Sequence, residues 1–302
     1  MRKEVRFKVD GGVELSAWLY LHEGDDGPRP AISMAHGFAG SRWHGLPRFA
    51  EAFAAAGFIV LLHDHRSFGL SDGEPRQDVD PWRQIEDWRY TLSYLESLPQ
   101  VDSRRIGIWG TSYAGGHVLV LAAADSRVAC VVSQVPTISG YQQGLRRVAP
   151  DSVAALETTF SDDLRAEARG EPPRMQAIVS ADRKTPAAYR GDDAIAFYLQ
   201  PVGAEARWEN TVTLRSSRWA RMYEPGDWVS RIGPKPLLMV IATHDPLTLT
   251  DLGLEAYERA HEPKKLVMIP GGHFDPYLSG FEVSSKAAVS WFQQHLMTKG
   301  AA

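Results

Sequence analysis

The sequence predicts an α/β fold, a mostly parallel sheet covered by helices on both faces. Three observations carry that reading. From Ala31 to Val132, short apolar runs alternate with helical patterns, as strands joined by helical crossovers do. Second, the alternation stops after Val135-Pro-Thr137 and strand-like runs return at Pro236, which implies one fold with an insertion. Third, an apolar run at Ile106 to Trp109 leads into Gly110-Thr-Ser-Tyr-Ala114 and then a small-residue helical stretch. That is the setting of a strand–turn–helix elbow with a serine at its apex.

The elements follow in order. Glu4 to Lys8 and Val13 to Leu21 alternate apolar and polar residues around Asp10-Gly-Gly12, an N-terminal hairpin. Ala31-Ile-Ser-Met-Ala35 is a strand that ends in the loop His36-Gly-Phe-Ala-Gly40. A helix rich in Ala and Phe (Phe49, Phe53) precedes the strand Phe58 to His63. Over Gln84 to Leu95, the residues Ile85, Trp88, Leu92 and Leu95 recur at three- and four-residue steps, one face of a helix. Asp80-Pro81 marks its start, an acid that can cap the helix and a proline that suits its first turn. Pro236 to Ala242 and Leu266 to Pro270 are two further strands, ending in Thr243-His-Asp245 and Gly271-Gly-His273.

The candidate site is read from those strand ends. A serine in a strained turn leaves no room for side chains two positions before and after it, so Gly110 and Ala114 flank Ser112. An elbow serine works with an acid and then a histidine later in the chain, and with an oxyanion hole from an earlier loop. Asp245 and His273 supply the first two. The backbone N–H groups of Phe38, in the His-Gly loop, and of Tyr113, next to the serine, supply the third. Asp251 and Asp275 are the other acids to weigh. Asp251 reads as a helix-start acid, whereas Asp245 directly follows a strand, so Asp245 is preferred.

Residues 1–137 and 233–302 are thus expected to form the sheet core, and 138–232 a helical cap. The inserted segment lacks strong strand runs, and carries many charged residues and prolines among scattered aromatic rings. A solvated appendage has no need of so many large apolar rings, so a lid over a pocket is the better account. Trp208 and Tyr223 are the rings expected to meet substrate.

Composition narrows the function class. The formal charge is −4 over 302 residues, which favours neither nucleic acid nor anionic membrane as a partner. The one cysteine, Cys130, sits in an apolar run and reads as a buried thiol. The first residues have no apolar export core and no run approaches membrane-spanning length, so a cytoplasmic protein is expected. His63-Asp-His65 could suggest metal ligands. These side chains are expected to point to opposite faces of the strand end, and no matching Cys, His or Asp set stands elsewhere, so neither metal nor cofactor is expected. The oligomeric state stays open, a homodimer included.

Taken together, the motifs His36-Gly-Phe38, Asp64 to Pro75, Gly110 to Ala114 and Gly272-His-Phe-Asp275 resemble those of an α/β-hydrolase with a cap. The likeness is closer to a branch of polyketide transferases and thiohydrolases, related around the elbow to X-Pro dipeptidyl-peptidases and dienelactone hydrolases. Ile108 to His117, Ser133 to Thr137, Trp208 to Ser216 and Gly271 to Tyr277 carry it. The resemblance implies the eight-stranded α/β-hydrolase sheet, with Ser112 as nucleophile, His273 as base and acid, and Asp245 orienting the histidine. A carboxylic ester or thioester is the expected small-molecule substrate, cleaved through an acyl-enzyme. Transfer of a polyketide-type acyl group to another acceptor, C–C bond hydrolysis by the same triad, and a silent ligand-binding version of the fold are the alternatives.

Overall fold

A computed structural model describes residues 1–22, 27–182 and 184–297. Eight strands form one sheet: β1 (Arg2–Lys8), β2 (Glu14–Tyr20), β3 (Arg29–Ala35), β4 (Ile59–His63), β5 (Val101–Thr111), β6 (Val128–Gln134), and, after a long excursion, β10 (Leu237–Ala242) and β11 (Lys264–Ile269). Their spatial order is β1-β2-β4-β3-β5-β6-β10-β11. β2 runs antiparallel to both of its neighbours, and every other pairing is parallel. β3, β4 and β10 are buried along nearly all of their length, as both-face coverage requires.

The covering helices are α1 (Pro47–Ala55), α2 (Pro81–Glu96), α3 (Tyr113–Ala124), α8 (Thr250–Arg259) and α9 (Phe281–Phe292). α1 packs on α9, and α2 on α3. Two glycines of β5 show that these pairs lie on opposite faces. A Cβ on Gly107 would meet Phe292 of α9, and one on Gly110, an odd number of residues away, would meet Val118 of α3. α2 begins as the sequence predicts: the Asp80 carboxylate accepts the backbone N–H groups of Trp82 and Arg83, with Pro81 in the first turn. α3 is apolar on all sides because it lies buried between β5, β6 and the turn Pro225–Arg231.

Between β6 and β10 the chain leaves the sheet. It builds α4 (Gly140–Arg147), α5 (Val153–Ala168), α6 (Asp192–Tyr198) and α7 (Leu214–Met222), with the short strands β7 (Met175–Val179), β8 (Ala187–Tyr189) and β9 (Thr211–Thr213). These strands form a second sheet in the order β8-β7-β9. The expectation of a purely helical insertion is therefore corrected. Three strands of three to five residues, none alternating over a useful length, leave no periodic signal to read. No helix among the described residues is long and apolar enough to cross a membrane.

Candidate active site

β5, β10 and β11 deliver three side chains to one point. Ser112 follows β5 and caps α3 with φ 57° and ψ −116°, a conformation few non-glycine residues hold. Its backbone is pinned on both sides: Ser112 N–H donates to Gln134 O at 2.9 Å, and Thr137 N–H donates to Ser112 O at 2.9 Å. The turn is so tight that a Cβ on Gly110 would lie 2.1 Å from Ala114 O. His273, past the end of β11, brings Nε2 to 2.9 Å from Ser112 Oγ. Its Nδ1 donates to Asp245 Oδ2 at 2.7 Å, which leaves the Nε2 lone pair facing the serine hydroxyl.

Asp245 follows β10 and is held by four donors. Oδ1 accepts the N–H groups of Leu247 (2.7 Å) and Thr248 (2.8 Å), while Oδ2 accepts Thr248 Oγ1 (2.7 Å) as well as His273. Burial alone would raise the pKa of this carboxyl. The facing imidazole and the Thr248 hydrogen bonds outweigh it, and the pKa falls to about 2. A carboxylate that stays ionised can fix a ring tautomer and stabilise an imidazolium. Thr248 was missed in the sequence, although an acid with a threonine three residues on is a recognisable turn signature. The other acids lie elsewhere. Asp251 sits in the first turn of α8 and pairs with Arg146 at the surface (2.6 Å). Asp275 accepts Gly272 N–H and Ser279 Oγ.

The His-Gly loop runs beside the serine. A Cβ on Gly37 would sit 2.9 Å from Ser112 Cβ, so the approach requires glycine there. Phe38 follows, its ring edge-on to that of Tyr113 at 5.5 Å. Tyr113 opens α3, where first-turn N–H groups have no partner within the helix and the dipole favours negative charge. The loop is gripped from the inserted segment: Tyr198 Oη donates to Phe38 O at 2.7 Å, and Trp208 Nε1 donates to Ala39 O at 2.8 Å. Ala39 itself has φ 51°.

Ser112, Tyr113, His273 and Phe38 open onto a cavity of about 590 Å³ that extends into the inserted segment. Trp208 and Tyr223, the two rings expected to meet substrate, are absent from its wall. Trp208 is occupied at the loop and packs on His44. Tyr223 is buried behind Tyr113, its hydroxyl bonded to His117 Nδ1 at 2.9 Å. Besides Phe38 and Tyr113, the aromatic rings that line the cavity are Phe160, Tyr189, Tyr198 and Phe274. Nothing in residue type separates these from the other aromatics, so composition could not pick them out.

His63 and His65 need a second correction. Their rings meet at 5.1 Å, because residues two apart on a strand share a face. With His36, His117 and Trp88 they form a buried ring cluster. Among the described residues, no group of three or more His, Cys, Asp or Glu side chains could hold a metal ion. Burial pushes His36 down to about 4, and His63 and His117 to about 3, so all three are neutral near pH 7. Cys130 is buried in β6, and burial pushes its thiol up, away from thiolate chemistry.

Known proteins share this arrangement of elements. The family model described as X-Pro dipeptidyl-peptidase (S15 family) matches residues 10–275. The chain is 34% identical to the quorum-quenching protein AidA of Acinetobacter baumannii, over 88% of this chain and 86% of that one. It is 30% identical to the thiohydrolase aneE of Aspergillus aculeatus, over 99% and 95%. Among solved structures it resembles the α/β hydrolase GrgF from a Penicillium species, with a TM-score of 0.84 and 26% identity, over 98% of this chain and 99% of that one.

Proposed function

We propose, for a chain that belongs to the X-Pro dipeptidyl-peptidase (S15) family and is an α/β-hydrolase enzyme, a reaction that runs through Ser112 as nucleophile. The observation that carries the assignment is the unbroken line Ser112 Oγ, His273 Nε2, His273 Nδ1, Asp245 Oδ2, with gaps of 2.9 and 2.7 Å. His273 takes the serine proton as Oγ attacks the carbonyl carbon. Charge then collects on the carbonyl oxygen, and the N–H groups of Phe38 and Tyr113 receive it, each such donor being worth a few kcal/mol. His273 hands its proton to the leaving alcohol or thiol, and the acyl-serine forms. Water, deprotonated by the same ring, reverses the steps and releases the acid. Asp245 holds the ring and balances the imidazolium.

Residues 138–232 serve in this reading as a cap, since Gln143, Phe160, Tyr189 and Tyr198 give the cavity its outer wall. Esters and thioesters fit it better than peptides with a free amino terminus. Releasing an N-terminal dipeptide means seating an ammonium group, and no Asp or Glu among the described residues lines the cavity. A thiohydrolase among the relatives supports the thioester option.

The test is labelling by a fluorophosphonate together with a panel of aryl esters and acyl thioesters. The wild-type chain should label at Ser112 and turn over members of the panel. Ser112→Ala should keep its melting temperature and lose both properties. Substantial turnover by that variant would remove Ser112 from the mechanism.

A further inference from the structure

The cavity wall carries a charge pattern that acyl chemistry alone does not call for. Three arginines line it, each from a different part of the cap: Arg147 at the end of α4, Arg190 just after β8, and Arg221 near the end of α7. The chain as a whole is acidic, with 37 Asp and Glu against 33 Lys and Arg. Among the described residues, no Asp or Glu lines the wall.

Local pairing leaves most of this positive charge in place. Arg190 is exposed and has no ion pair among the described residues. Arg147 donates to the Leu247 carbonyl and lies over the Tyr189 ring, 5.4 Å from its centroid. Both contacts orient a guanidinium without cancelling its charge. Arg221 has one carboxylate near it, Glu157 at 3.7 Å, and that side chain is 58% exposed, so the pair is weak. The rest of the wall is mixed, with Val148, Leu156 and Phe160 beside Gln143, Gln176 and Ser217.

We infer that the cavity selects esters or thioesters that carry an anionic group, a carboxylate or a phosphate, away from the scissile carbonyl. Arg190 and Arg147 are the specificity-determining residues. The inference rests on the proposed role of Ser112 and names the substrate class for that same site. Guanidinium groups suit both anions, since their planar donors match paired oxygens. A clustered positive wall also raises the local concentration of anions, in a way that salt weakens.

Two matched pairs of substrates test it. 4-Nitrophenyl hydrogen suberate against its methyl ester places the charge on the acyl side. Hexanoyl-coenzyme A against hexanoyl-N-acetylcysteamine places it on the thiol side. The charged partner should lead by about tenfold or more in kcat/KM in one pair, and which pair identifies the source of the anion. That ratio should shrink as salt rises from about 0.05 to about 0.5 M, and again in Arg190→Gln and Arg147→Gln. The surface control Arg104→Gln should leave it unchanged. Equal or better use of the neutral partner in both pairs would overturn the inference. Calorimetric binding of the same compounds to Ser112→Ala reads the preference without turnover. Absent labelling and turnover therefore count against the Ser112 mechanism, whereas binding or turnover indifferent to charge counts against the anionic class.

Discussion

The sheet and the inserted segment proposed as a cap meet at Ser112 but hold the site by different means. The sheet does it from its own strand ends. Asp245 is fixed by donors two and three residues further on and by His273, and Ser112 by its tight turn and by Gln134 and Thr137 at the end of the adjoining strand. The cap works at long range. Tyr198 and Trp208 reach loop carbonyls 160 and 169 residues away in the chain. Devices within the sheet stand while the sheet is formed, whereas the long-range ones hold only while the inserted segment is docked. The groups proposed to change bonds come from the first class, and those proposed to frame the oxyanion loop from the second.

The contrast can be broken most severely from the sheet side. Asp245→Asn should lower kcat by about ten-thousandfold, the scale seen when a triad acid loses its charge and the histidine adopts the wrong tautomer. Asp251→Asn, which breaks one surface ion pair with Arg146, should cost little in activity or stability. Steady-state kinetics of the two variants checks both statements, and the reverse outcome would move the acid to Asp251.

From the cap side the loss should be smaller and of another kind. Tyr198→Phe and Trp208→Phe each remove one donor to the oxyanion loop. Each should lower kcat by about tenfold on a small aryl acetate, with KM and melting temperature little changed, because a loop displaced by a fraction of an ångström misplaces the Phe38 N–H. A fluorophosphonate should then label Ser112 more slowly, since its phosphoryl oxygen needs the same hole. If only bulky esters suffer, these rings shape substrate fit and leave the loop alone.

The smallest expected effect concerns stability. His36, His63 and His117 stay neutral in the fold down to about pH 4 or below, while in the unfolded chain they take up protons near pH 6.5. The unfolded state therefore binds more protons as pH falls from 6.5 toward 4, and stability present above that window is lost through it. Calorimetry should show the melting temperature about 5 °C or more lower near pH 5.5 than near pH 7.5. A flat profile would mean that the ring cluster is open to protons in the fold.

What could be read from the chain follows the same division. The eight strands, the elbow and the strand ends bearing Asp245 and His273 sit in runs where period and punctuation are strong, and the structure draws Ser112, His273 and Asp245 together. Thr248 was within reach of the same reasoning, three residues beyond the acid. The cap was not. β8 and β9 are three residues each, too short for a period, and the rings facing the cavity differ from Trp208 and Tyr223 only in where tertiary packing turns them. The mistake over His63 and His65 was one of geometry, since positions two apart on a strand lie on the same side.

The cap leaves the sheet after β6 and rejoins it at β10, strands that lie side by side. That topology invites exchange: a segment whose two ends are close can in principle be swapped for another without disturbing its host. The Tyr198 and Trp208 hydrogen bonds set a condition on any such swap. Two carbonyls of the His-Gly loop, buried where water has little access, would lose their partners if the segment were cut out or replaced by an unrelated one. A transplanted cap would have to bring a hydroxyl and an indole, or equivalent donors, to the same two places. Grafts that change the cavity but keep α6 and the Trp208 turn are the ones that should retain a working elbow.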